Sequence, residues 1–215
     1  MPSNAQQDFE LLAGFVDQLI AIHGKLQQGQ GRRHEQDAIH RSGVVMMVAA
    51  WESYIERVVL EALDLMEADI CGSIGGLPAQ LAPAWARHAF ALRKAEIAQM
   101  VKKFNTPNAV NVRDLLERSL EFSPWSHWGW RTGPRQWNDR EMRKRLDAWI
   151  LIRHSVAHGF PFPNNVDWLK DARGRPRLTL SLLRECRKFF KHLVAQTDHS
   201  LSANLSAHHG ISSPW

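Results

Sequence analysis

Arg153, His154 and His158 stand together in the run Leu151-Ile152-Arg153-His154-Ser155-Val156-Ala157-His158-Gly159. A guanidinium is a permanent cation whose planar fork matches phosphate, and an imidazole takes up and releases protons near neutral pH. Side by side, the two suit phosphodiester chemistry. On a helix of about 3.6 residues per turn, His154 and His158 are neighbours at i and i+4, whereas Arg153 and His158 point about 140° apart. Their convergence needs a long side chain reaching past the helix end. A structural explanation also stands: Gly159 is a natural left-handed cap, and basic side chains in a last turn favour the helix dipole without any activity.

The same histidines have the i, i+4 spacing of a helical zinc site. Ser155 occupies the place of the glutamate in His-Glu-x-x-His, however, and no acidic third ligand is near. Cys71 and Cys186 are far apart and outside any zinc spacing. The sequence therefore predicts neither metal nor cofactor. Gly72-Ser73-Ile74-Gly75-Gly76 lacks the Lys-Ser/Thr and the preceding strand of a phosphate loop, so it reads as a turn.

The elements that must position these residues read as an all-α bundle of five to six helices. Ser3 or Asn4 caps a first helix to about Gln28, with a stripe of Phe9, Leu12, Phe15, Val16, Leu19 and Ile22, ended by Gly29-Gln30-Gly31. A long rod follows from about Glu35 to Glu67, the length of a bundle's central helix. Pro83 opens a third helix to about Phe104, and Thr106-Pro107 opens a fourth. Asn138 or Asp139 caps the motif helix. The prolines of Phe160-Pro161-Phe162-Pro163 stop any continuation. A short extended excursion pairs 166–169 with 177–180, and a last helix runs from about Ser181 to Gln196. The tail 197–215 shows no clear period, so the domain reads as 1–215 with a core over about 8–196.

The formal charge is +5 and the pI about 9.6, a balance that favours a polyanionic partner. Between Phe122 and Asn138, four tryptophans sit among Gly, Pro and basic side chains. Indoles such as Trp128 and Trp130, beside Arg131 and Arg135, suit stacking on unpaired bases with phosphate held by guanidinium. Tryptophans in a loop equally serve to pin it to the domain, and both readings stand. Arg140, Arg143, Lys144 and Arg145 in the early turns of the motif helix either line a path for RNA leading to His158 or form an ordinary solvated face. No apolar leader or membrane span is evident, which predicts a cytoplasmic protein without membrane association.

Arg153-His154-x-x-x-His158 followed by Gly159 resembles the Arg-polar-x-x-x-His motif of the HEPN superfamily, small all-helical domains of many prokaryotic ribonucleases, toxins and antiviral systems. Upstream, Ala49-Ala50-Trp51-Glu52-Ser53-Tyr54-Ile55-Glu56 resembles the Trp-Glu helix of the HEPN groups found as stand-alone genes or beside L-PSP-type ribonucleases. The two segments lie in the expected order, and the likeness in helical layout covers roughly residues 8 to 195. The resemblance implies a metal-independent endoribonuclease in toxin-like or antiviral defence. It also implies a homodimer whose two motifs face one composite cleft, with an antitoxin or inhibitor protein as a further possible partner. Where some HEPN toxins carry a modifiable Tyr two positions after the motif His, this chain has Phe160, which offers no hydroxyl for that modification.

In such an enzyme His158 moves the proton, Arg153 stabilises the phosphorane, and His154 orients phosphate or assists the proton transfer. Glu52 either orients Arg153 or a motif histidine, or is a surface carboxylate near Glu56 and Arg57. The alternative function is a non-catalytic HEPN module that binds RNA or another protein.

Overall fold

Helix α1 (Asn4–Lys25) starts where Ser3 supplies its cap: the Ser3 hydroxyl accepts the Gln6 N–H at 2.9 Å. The Ser3 N–H in turn donates to the Asp198 carboxylate at 3.1 Å, as does its hydroxyl. Glu61 covers the next free amides, accepting the Asn4 and Ala5 N–H groups at 2.9 Å each. The computed structural model describes residues 1–25, 36–74, 77–78, 84–133 and 135–215, so the predicted stop at Gly29-Gln30-Gly31 and the predicted start at Pro83 lie outside the described residues.

The stripe that α1 buries is Ala5, Phe9, Ala13 and Val16, stepping by four, four and three. The sequence reading placed Phe15 and Ile22 on that stripe, yet both are exposed. Six residues beyond Phe9 is about 240° of rotation, which turns Phe15 away from the core.

Helix α2 (Asp37–Gly72) is the central rod, about 54 Å long at 1.5 Å per residue. It packs against α1 and four later helices. That explains why Val44, Met47, Val48, Trp51, Tyr54, Ile55, Val58 and Val59 are all buried, a coverage wider than one amphipathic stripe. At Gly43 an added Cβ would come within 2.5 Å of Leu183 Cδ1, so glycine permits the close approach of the last helix. Two-residue strands β1 (Ser73–Ile74) and β2 (Leu77–Pro78) pair antiparallel beyond it.

Helices α3 (Ala84–Lys102) and α4 (Ala109–Leu120) follow. The α4 cap is Asn108, whose side chain accepts the Asn111 N–H at 2.8 Å, rather than the predicted Thr106. Pro107 instead offers its carbonyl to Trp51 Nε1 at 3.0 Å, fixing the linker to the core. Helix α5 (Asp139–His158) begins in a capping box in which Asn138 and Glu141 satisfy each other's amides, as the sequence predicts for Asn138.

The extended excursion is reduced to a short 3-10 turn, Asp167–Leu169, and a single bridge between Lys170 and Pro176. Helix α6 (Leu180–His209) then runs thirteen residues past the predicted end at Gln196, and Gly210 caps it in the left-handed conformation. Polar residues hid that continuation. Thr197, Asp198 and Ser200 are buried but satisfied: Thr197 accepts from Trp128 Nε1 at 3.0 Å, and Asp198 accepts from Ser3. Leu201, Leu205 and Ile211 are buried beyond them, so this segment is core rather than a mobile tail. Six helices over the described residues make the protein all-α, and none of them is long and apolar enough to cross a membrane.

Candidate active site

Trp51 and Glu52 are consecutive on α2, about 100° apart, and that rotation divides their tasks. Trp51 is fully buried against Tyr54, Phe190 and Trp128. Glu52 turns toward α5, where its Oε2 lies 3.8 Å from Arg153 Nη2. That is ion-pair distance and too long for a hydrogen bond. Burial pushes the Glu52 carboxyl above its usual range, and Arg153 pulls part of the shift back. One turn further, Glu56 is pushed up by burial and by the charge of Glu52. Arg153 Nε is buried without a hydrogen-bond partner among the described residues. The guanidinium is thus held from one side by α2 and not saturated.

Along α5, Met142, Leu146, Trp149 and Ile152 face the core. Arg153 stands beside that stripe, and His154 and His158 stand off it, exposed. Their rings lie 4.4 Å apart between centroids. Gly159 ends the helix with φ 67° and ψ 21°, and the Phe160 N–H donates to the Ser155 carbonyl at 2.9 Å. Phe160 is 55% exposed and closes a three-ring cluster, 5.7 Å from His158 and 5.6 Å from His154. The sequence reading used Phe160 only as a missing tyrosine. The signal for its placement was the glycine cap before it and the prolines after it.

This arrangement offers two solvent-facing proton carriers and one cation on the same helix end. Among the described residues no group of three or more His, Cys, Asp or Glu is placed to hold a metal ion.

The tryptophan-rich loop is elsewhere. It lies at the N-terminal end of α5, whose 20 residues span about 28 Å from Asp139 to His158. Trp128, a candidate for stacking on RNA, is 2% exposed and donates to Thr197, so it presents no face to a base. Trp125 Nε1 donates to the Ala109 carbonyl at 3.1 Å. Trp130 pairs through its backbone with Trp137 and rests on His192 at 4.3 Å. These indoles pin the loop because they fill the space between α4, α5 and α6.

The basic candidates divide in the same way. Arg135 lies 3.5 Å from Glu185 and over the rings of Trp130 and Trp137. Arg143 pairs with Asp139 at 2.6 Å and stacks on Trp125 at 4.0 Å. Arg131, Arg140 and Lys144 are exposed and make no ion pair among the described residues.

Arg145 stands in the same basic run, for which a path for RNA and a solvated face were the two readings, and it fits neither because it is buried. It pairs with Glu185 and lies 3.5 Å over the Trp168 ring, and burial lowers its pKa to about 10. Four basic residues in six positions concealed that one of them faces inward.

A helical bundle with an Arg-x4-His helix end facing a Trp-Glu rod defines a HEPN-type domain. The profile of the family described as RiboL-PSP-HEPN matches residues 4–203, and the chain belongs to that family. No curated protein and no solved structure matches the chain. HEPN domains are generally nuclease-like, bind RNA and often dimerise.

Proposed function

We propose that this chain is a metal-independent endoribonuclease. The observation that carries this reading is the exposed His154–His158 pair at the end of α5, beside an Arg153 that α2 holds through Glu52. In the reaction the RNA 2′-oxygen attacks the adjacent phosphorus, the bond to the 5′-oxygen breaks, and a 2′,3′-cyclic phosphate remains. His158 takes the 2′-hydroxyl proton, an acid returns a proton to the leaving 5′-oxygen, and Arg153 faces the charge developing on the phosphorane. His154 orients the phosphate or relays the proton.

Two chains arranged about a two-fold axis would supply two copies of His158, one as base and one as acid, and we assign the active species as that homodimer. Its setting is toxin-like or antiviral defence in the cytoplasm, with an antitoxin or inhibitor as a regulatory partner.

The test is cleavage of a tRNA pool in excess EDTA by the wild type and by Arg153→Ala. Loss of a transition-state cation predicts a fall of roughly 100-fold or more in the rate with little change in folding. Equal rates would remove Arg153 from the mechanism. RNA binding without cleavage by the wild type would favour the alternative of a non-catalytic RNA-binding module.

A further inference from the structure

Phe160 belongs neither to the hydrophobic core nor to the partly buried residues packed against it among the described residues. The residue is 55% exposed, whereas the neighbouring Phe162 is half-buried and carries the Arg41 guanidinium 4.7 Å over its ring. The backbone on both sides of Phe160 is fixed. Gly159 and the Phe160 N–H close the helix onto Ser155, and Pro161 and Pro163 set φ on the other side. A large aromatic face is therefore held toward solvent by a stiff segment, at a hydrophobic cost that the chain gains nothing from when alone.

We infer that Phe160 is the nucleobase platform of this site, stacking one base of single-stranded RNA next to the scissile phosphate. This rests on the ribonuclease reading above. A base lies one sugar away from its phosphate, a separation comparable to the 5.7 Å between the His158 and Phe160 rings. A phosphate against Arg153 and the imidazoles thus leaves a flanking base within reach of the phenyl face. Among the described residues, Phe160 is the exposed aromatic beside the motif histidines, since the indoles of the tryptophan loop sit at the other end of α5. The net charge of +5 favours the polyanion over an acidic-poor protein surface as occupant. Because every base has a π face, the platform reads single-strandedness rather than sequence.

The test uses a short single-stranded 2′-O-methyl oligonucleotide of mixed sequence, which cannot undergo 2′-oxygen attack, with 2-aminopurine placed at each position in turn. Stacking predicts quenching at interior positions in the wild type that is lost in Phe160→Ala and Phe160→Leu. It also predicts affinity weakened roughly five- to a hundred-fold in Phe160→Ala and Phe160→Leu, and retained in Phe160→Trp. The exposure of Phe160 makes all three variants foldable, which circular dichroism checks.

Unchanged affinity in Phe160→Ala, or full affinity in Phe160→Leu, overturns the proposal. Absence of any binding by the wild type overturns it too. A Phe160→Ala variant that sediments as a monomer where the wild type is a dimer, with per-site affinity intact, makes the ring a contact with a second copy and also overturns it. The 2′-hydroxyl version of the same oligonucleotide separates the two claims. If it stays uncleaved while the Phe160-dependent quench persists, the nuclease reading falls and the platform stands.

Discussion

Arg153 Nη2 and Glu52 Oε2 stand 3.8 Å apart across the α2–α5 contact, joining the two short segments that carry the chain's family signature. The contact holds the guanidinium from a neighbouring helix, one position before His154 on the motif helix, and it does so with a carboxylate whose ionisation burial opposes.

Glu52→Gln should therefore separate stability from activity. A carboxyl held above its ordinary value binds its proton more tightly in the folded state, so its stabilising contribution is present below the ordinary value and lost as pH rises through the folded value. Removing the ionisable group makes Glu52→Gln at least as stable as the wild type at neutral pH, with the comparison shifting in the variant's favour from acid to neutral. RNA cleavage should fall roughly ten-fold, because Arg153 loses its anchor. Thermal midpoints across pH and cleavage rates check the two arms; a variant both unstable and inactive contradicts the positioning role.

Arg145 is a structural cation. Its removal in Arg145→Ala takes the closer of two cations from Glu185, leaving Arg135 at 3.5 Å, and opens space under Trp168; it should destabilise the fold by about 2 kcal/mol, less than the loss of a fully buried pair. Arg145→Met with Glu185→Leu should recover much of that loss, since matched apolar replacements avoid the desolvation of both charges. Urea denaturation of the single and double variants reads the difference.

His23 on α1 and His40 on α2 are buried with ring centroids 5.0 Å apart. Burial holds His40 below its ordinary value, His23 and Arg177 add to that, and Asp37 opposes it. A lowered histidine gives stability that is present above its unfolded value, about 6.5, and lost as pH falls through the lower folded value. The urea midpoint should drop from neutral to mildly acidic pH, and His40→Phe should flatten part of that drop. An acid loss in His40→Phe equal to that of the wild type would assign the sensitivity to other groups.

The motif helix was the most legible element because its signals are local: Asn138 and Glu141 mark its start and Gly159 its end. The two motif segments were legible for the same reason, but their meeting at Glu52 and Arg153 depends on α2 packing against α5, which spacing within one segment cannot express. The sequence could not distinguish Arg145 from its solvated neighbours, because an inward guanidinium needs Glu185 and Trp168 from other parts of the chain. The end of α6 was lost for a related reason, as Thr197 and Asp198 read as surface until Trp128 and Ser3 supply their partners. Tryptophans in the 122–138 loop looked equally suited to RNA and to packing, and only the burial of Trp128 decides that position.

The central claim is metal-free transesterification with His158 moving the proton. Its most direct measurement is the end chemistry of tRNA fragments made in excess EDTA by the wild type and by His158→Ala at equal concentration. The account predicts 2′,3′-cyclic phosphate and 5′-hydroxyl ends from the wild type and a rate at least roughly 100-fold lower in the variant. Undiminished cleavage by His158→Ala, or fragments bearing 5′-phosphate ends, would contradict it.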